Sequence, residues 1–134
     1  MEAARKVLIV DKSIDRKTRI GAVRERGFAV FPALKLSEAR GRCRPGAYDL
    51  IVVHGADELD ACLALCDQLR ERVPPQPVLL VMPDASKAPD RDYVVQGDAK
   101  AIADRVEAMF GRMSRGAAVS EGSSRGDMPA RATA

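Results

Sequence analysis

The sequence predicts an α/β fold, an open, doubly wound, five-stranded parallel sheet with helices on its faces. Two observations carry that expectation. Short runs of β-branched and aliphatic residues recur along the chain, with helical or turn-rich stretches between them. That alternation builds parallel sheets from strand–helix–strand units. The runs are also continuously apolar rather than alternating, as strands buried on both faces are. A third observation narrows the class. "VDKSID" follows the first run where a dinucleotide-binding domain would place a G-x-G-x-x-G turn, so a nucleotide-binding Rossmann domain is not expected.

The elements follow in order. "KVLIV" (6–10) is the first strand and ends at Asp11. Ser13 or Asp15 is placed to cap a helix over 14–26, and Gly27 to stop it. This helix has a thin apolar face of Ile14, Ile20 and Val23, with Gly21 and Ala22 allowing close approach. Arg16, Lys17, Arg19, Arg24 and Arg26 make the remainder basic. "FAVFPA" (28–33) is the second strand, and Pro32, lacking an amide hydrogen, puts its end at an edge or in a turn. Ser37 caps a short helix over 36–44, stopped before Pro45-Gly46. "DLIVV" (49–53) is the third strand and delivers His54 to its tip.

Leu59, Cys62, Cys66, Leu69 and Val73 step by three and four, giving a helix over 57–73 one core-facing stripe. "VLLVM" (78–82) and "YVV" (93–95) are the fourth and fifth strands. "PDASKAPDRD" (83–92) between them reads as a loop, from its two prolines and many turn formers. The last helix, 98–113, is capped by Asp98 and turns Ile102, Val106, Met109 and Phe110 inward. From Ser114 onward the chain is small, polar and aperiodic. Residues 1–113 therefore read as the folded domain and 114–134 as a disordered tail, whose "RGD" is taken as chance.

Composition bounds the function. At 134 residues the chain is one domain by size, with a core of Val, Leu, Ile, Ala and Met and no Trp. No apolar run is long enough to cross a bilayer, and "VLIV" is too short for a signal-peptide core. Three cysteines, an odd number, suit reduced thiols in a cytoplasm. The net charge of +3 divides unevenly. Residues 1–46 hold twelve Lys/Arg against five Asp/Glu, and 47–134 hold ten against fourteen, which gives +7 and −4. Such halves steer partners of opposite charge or neutralise each other in a homodimer.

"KVLIVDKS", "RERGFAV", "YDLIVVHG", "QPVLLVMP" and "DRDYVVQG" stand in the order of a known family. The chain resembles the receiver domain of bacterial two-component response regulators, over residues 5 to about 112. The resemblance implies a flavodoxin-like sheet. Only residues 83–92 lie where receivers place a fourth helix, which implies that this helix is shortened or missing. Receivers accept a phosphoryl group on an aspartate at the end of the third strand. An acidic pair after the first strand holds Mg²⁺, and a Thr or Ser after the fourth strand contacts the phosphoryl group. A Lys before a Pro after the fifth strand contacts it as well.

Carried over by position, the acidic pair is Asp11 and Lys12, the acceptor is His54, the hydroxyl position is Met82, and Lys-Pro is Gln96-Gly97. Only Asp11 matches. Mg²⁺ needs oxygen ligands with a carboxylate or two, and a Lys12 ammonium beside a single carboxylate repels it, so no cofactor is expected. Losing metal and lysine removes most phosphoryl-transfer catalysis, and Met82 offers no hydroxyl. The pocket therefore reads as degenerate, and Lys12 turned inward is placed to pair with Asp11 in place of a cation.

The single residues sort accordingly. His54 is read as a crevice histidine bonded to backbone or to Asp11, ahead of a phosphohistidine or pH sensor. Cys62 and Cys66 are core residues rather than zinc ligands with His54, since structural zinc needs four ligands and a fourth is wanting. Cys43 in "GRCRP" has basic neighbours that would lower its thiol pKa, though an ordinary half-exposed cysteine is preferred to a redox sensor. Arg16, Lys17, Arg19 and Arg24 form a candidate partner surface on the first helix. The reading that results is a stand-alone pseudo-receiver, not an enzyme. It acts by protein–protein interaction with a histidine kinase or another regulator, without membrane insertion. Phosphotransfer at His54 or Asp11 is the alternative. A small DNA-associated regulator is a further one, disfavoured because stacking aromatics are missing beside the basic helix.

Overall fold

The sheet forms where the apolar runs lie. The computed structural model describes residues 4–55, 58–82, 91–122, 129–130 and 132–133, with side chains described as far as residue 111. The strands are β1 (Lys6–Val10), β2 (Ala29–Ala33), β3 (Leu50–His54), β4 (Val78–Met82) and β5 (Val94–Gln96). The helices are α1 (Arg16–Arg24), α2 (Leu36–Arg42), α3 (Leu59–Arg70) and α4 (Ala99–Gly122). The chain divides into two units, 1–103 and 104–134. The first holds the whole sheet, and the second holds the rest of α4 with the two-residue strands Pro129–Ala130 and Ala132–Thr133. Among the described residues no helix is long and apolar enough to cross a membrane.

All strand pairs are parallel, in the order β2-β1-β3-β4-β5. This is the flavodoxin-like order, whose direction of winding reverses between β1 and β3. Two crevice residues end up there, Asp11 after β1 and His54 at the tip of β3. Val7–Val10, Leu50–Val53 and Val78–Met82 are buried throughout, as strands covered on both faces must be. Gly55 continues β3 because a side chain has no room: a Cβ there would lie 2.9 Å from Leu80 Cδ1 and 3.1 Å from Met82 Sδ.

Strand β2 is one edge of the sheet, one of the two places that Pro32 allowed. Ala29 donates to the Arg5 carbonyl, and the Ala33 carbonyl accepts from Asp11 N, so residues 29 and 33 face β1. Val30 and Pro32 therefore turn their backbone outward, by the two-residue period of a strand. Arg24 donates to the Val30 carbonyl at 3.1 Å and Arg42 to the Pro32 carbonyl at 2.8 Å. Proline has no amide to offer at the second position, so little of this edge remains open to another strand.

Several expectations are corrected. Ile14 is not part of the apolar face of α1. It precedes the helix and is 98% exposed, because residues 13–15 fold back on Asp11 and Arg19; Ile20 and Val23 carry the buried face. Ser37 does not cap α2. Lys35 holds the cap position, and the Glu38 carboxylate accepts from Leu34 N at 3.1 Å. Val73 lies past the end of α3 and is 97% exposed, and Leu65 completes the stripe with Cys62, Cys66 and Leu69. The fifth strand starts at Val94, after a buried Tyr93 whose hydroxyl donates to Asp67 at 2.7 Å.

Cys43 is buried rather than half-exposed, and burial raises its thiol pKa despite Arg72, Arg40 and Arg42. Asp98 does cap α4, accepting from Ala101 N at 2.9 Å, and Ile102, Val106 and Phe110 are buried. The helix does not end at Met113, where a tail was expected to begin. Its backbone stays helical to Gly122, since no proline interrupts residues 114–122. Residues 83–90, where the missing or shortened fourth helix was expected, lie outside the described residues.

The corrected stripe predicts two unequal substitutions. Leu65→Ala should cost about 2–5 kcal/mol, the usual range for a buried leucine. Val73→Ala should change stability by less than about 0.5 kcal/mol. Chemical denaturation of both variants checks this, and equal costs would return Val73 to the core.

Candidate functional site

The crevice at the carboxyl ends of β1 and β3 is built around one buried carboxylate. Asp11 leaves β1 with its side chain 1% exposed. Its Oδ1 accepts from Ser13 N at 2.9 Å and from Ser13 Oγ at 2.6 Å, a turn that the Asp-x-Ser spacing supplies. Its Oδ2 accepts from Arg19 Nε at 2.7 Å, one turn into α1. Arg19 also donates from its terminal nitrogens to both oxygens of Asp15, at 3.2 and 2.8 Å, and closely to Ser13 Oγ. One guanidinium thus joins two carboxylates and a hydroxyl.

The electrostatics follow from this pairing. Burial pushes the Asp11 carboxyl upward, but the Arg19 and Ser13 hydrogen bonds more than offset it, and the pKa lies below the ordinary value. Burial opposes the charge of Arg19 too, and the two carboxylates outweigh it, holding its pKa above the usual one. The exposed Asp15 is held down to about 2, chiefly by Arg19.

Lys12 does not pair with Asp11, contrary to expectation. Its ammonium turns outward to Glu58 Oε1 at 3.0 Å, both side chains about half exposed. The inner place is taken by Arg19, whose fork meets carboxylates in a way an ammonium does not. Arg19 therefore leaves the candidate partner surface, its side chain being 13% exposed. Arg16 and Arg24 stay on that surface, anchored to the Ser13 and Val30 carbonyls, and Lys17 is exposed beside them.

The pocket is lined by Val10, Asp11, Lys12, Ser13, Leu34, Leu36, His54, Glu58 and Cys62. Three of the five expected pocket residues, Asp11, Lys12 and His54, thus come together. Met82 does not join them: it is buried in the core under Gly55. Gln96 is exposed at the end of β5 and does not line the pocket. His54 Nδ1 lies 3.8 Å from Asp11 Oδ1, beyond hydrogen-bond reach but close enough for its charge to lower the Asp11 pKa. The Cys62 thiol donates to the His54 carbonyl at 3.9 Å, and burial pushes its pKa up to about 11; Cys66, deeper, reaches about 12. Neither thiol is a nucleophile at neutral pH.

The donor set does not fit Mg²⁺. Both Asp11 oxygens are taken by three hydrogen bonds, an internal cation already faces them, and the neighbouring position is a lysine. Among the described residues no group of three or more His, Cys, Asp or Glu could hold a metal. The cavity has a volume of about 40 Å³, room for roughly three water molecules. Sequence reading missed Ser13 as the donor to Asp11, Arg19 as its counter-ion, and Glu58. The Asp15–Arg19 pair, four residues apart, was the available signal.

Arg19→Ala tests the pairing. With its folded pKa lowered, Asp11 contributes stability that is present above the unfolded pKa, near 3.8, and lost as pH falls through the folded value. Removing the guanidinium leaves burial dominant, so the folded pKa rises and the sign reverses. The variant should lose roughly 3–5 kcal/mol at pH 7 and clearly less at pH 4. An equal loss at both pH values, by denaturant unfolding, would show that Arg19 does not hold the charged form.

No protein-family model and no curated protein matches the chain significantly. Solved structures do. A crystal structure of an orphan response regulator of H. pylori superposes with a TM-score of 0.64 at 18% identity, over 81% of this chain and 98% of that one. A response regulator from Thermotoga maritima gives 0.63 at 21% identity, over 81% and 99%. The anti-anti-sigma factor PhyR from Bartonella quintana gives 0.59 at 17% identity, over 88% of this chain and 52% of that one. The strand order and the crevice at its switch point agree with these likenesses: the chain has the receiver, flavodoxin-like fold of response regulators.

Proposed function

We propose that this chain is a pseudo-receiver: a receiver-fold signalling module that acts by protein–protein contact and not by aspartyl phosphorylation. It needs no Mg²⁺ and is not an enzyme. The observation that carries the reading is the Asp11–Arg19 ion pair, a charge already balanced from within the fold. A receiver needs its acidic residues open, to bind the ion that neutralises the incoming phosphoryl group. Here the surviving acidic residue has a covalently tethered cation instead, and the acceptor position carries His54. A pocket arranged in this way holds one state.

The partner surface is then the exposed basic side of α1, with Arg16, Lys17 and Arg24, and the partner is an acidic face of a kinase or another regulator. The charge division between +7 and −4 halves favours such a partner. The orphan response regulator and the anti-anti-sigma factor among the similar structures set a precedent for receiver folds in varied signalling roles.

Incubation with Mg²⁺ and a small acyl-phosphate donor, read by intact mass, tests this. No phosphoryl adduct is expected on the wild type. An adduct lost with His54→Ala would make the histidine a working acceptor. One lost with Asp11→Ala would place the chemistry on the aspartate. Either result overturns the reading.

A further inference from the structure

The end of the sheet opposite the crevice carries a surface of its own. The five strands run parallel, so the helix-to-strand connections return to that end. Two of these connections lie side by side because β3 and β4 pair. They are residues 43–49, between α2 and β3, and residues 71–77, between α3 and β4. Gln76 buckles them together. It is buried, and its side-chain amide donates to the Tyr48 and Pro77 carbonyls, both at 3.2 Å. Val73 is almost fully exposed at this tip, and Arg44, Pro45, Pro74 and Pro75 are exposed as well.

Two properties of the tip go together. It is cationic: residues 40–47 and 70–77 hold five arginines against one glutamate, Glu71. Arg40, Arg42 and Arg70 stand in the last turns of α2 and α3, where they answer the helix dipoles. Arg44 and Arg72 lie beyond the helix ends. One terminal nitrogen of Arg72 is buried with no hydrogen-bond partner among the described residues, a cost that an added acceptor would relieve. The tip is also ready to leave water. Pro45, Pro74 and Pro75 have no amide hydrogen. The amides of Arg44, Ala47, Arg72 and Gln76 already donate to the carbonyls of Arg42, Arg44 and Leu69. Few backbone donors are stranded when such a tip enters a medium of low dielectric.

We propose that this tip docks on an anionic phospholipid surface, with Val73 and the Pro74-Pro75 step at the acyl boundary and Arg44 and Arg72 on lipid phosphates. The protein then lies on the membrane and does not cross it. The order of the groups argues for this occupant. A projecting aliphatic residue between cations fits a surface that is anionic outside and apolar just beneath. A bilayer offers that layering without a shaped pocket. A lone exposed valine would be ordinary. Here it stands with cations beyond the helix ends and with a backbone poor in free amides. The inference goes beyond the pseudo-receiver reading and does not use the crevice, which this docking turns away from the membrane.

The probe is a vesicle of equal parts phosphatidylglycerol and phosphatidylcholine, with phosphatidylcholine alone as control. The full chain should sediment with the anionic vesicles, less so as salt rises, and not with the control. Val73→Asp should weaken binding at least about tenfold. Its unfolding midpoint should stay unchanged, since the side chain lies in solvent. Arg44→Glu should weaken binding as well. Lys17→Glu makes the same change of charge in the first turn of α1, at the crevice end. That is a strand length from the tip, roughly 17 Å, beyond the screening length of about 8 Å at physiological salt, so its effect should be much smaller. The chain has no tryptophan, so Val73→Trp supplies a single reporter whose emission should shift to the blue on anionic vesicles.

Absence of binding to the anionic vesicles overturns the proposal, as does undiminished binding by Val73→Asp. Equal weakening by Lys17→Glu overturns it too, by showing a general attraction of the basic half. Displacement by millimolar glycerol phosphate would reveal a site for soluble phosphate in place of a membrane. A wild-type dimer in sedimentation velocity that Val73→Asp disperses would make a second copy the occupant. Each of these results removes the membrane assignment and leaves the pseudo-receiver reading to the phosphodonor experiment.

Discussion

The Asp11–Arg19 ion pair is the constraint from which the crevice takes its form. A carboxylate buried this deeply is tolerated only with compensation, and here it has a guanidinium and two Ser13 donors. To reach Asp11, Arg19 must lie one turn into α1, which sets where the helix starts. Residues 13–15 are drawn into the cluster, and Ile14 is left on the outside. Lys12, displaced from the inner position, finds Glu58 across the pocket mouth.

The same pair ties the chemistry to the fold. In an open parallel sheet the reactive crevice forms where the winding reverses, whatever side chains arrive there. This chain keeps that geometry and changes its contents. A histidine stands at the tip of β3, a methionine lies under Gly55, and an arginine pairs with the buried carboxylate. On the proposed reading, the single state follows from charge balance: a bound ion can leave and a tethered guanidinium does not.

Much of the fold was legible in the sequence, because continuously apolar strands and turn formers are local signals. Pro32 announced an edge or a turn, and Asp98 announced a helix start. The misreadings share a physical origin. Helical periodicity does not say where a stripe stops, so Val73 was included although α3 had ended at Arg70. The basic face of α1 offered several arginines of equal local merit. Choosing Arg19 as the inner one requires Asp11 to be placed in space, which only the β1–α1 turn provides. Cys43 was misjudged for a similar reason, since neighbouring charge is visible in sequence and burial is not.

The site was legible by residue and not by pairing. Asp11, Lys12 and His54 do meet, yet their partners were read from adjacency, which favoured Lys12 over an arginine eight positions from Asp11. The most direct measurement is ¹³C NMR of the Asp11 side-chain carboxyl through a pH titration, with and without millimolar Mg²⁺. The account predicts a midpoint below the ordinary aspartate value and no change on adding the ion. A midpoint at or above that value, or a carboxyl resonance that moves to saturation with Mg²⁺, would contradict it.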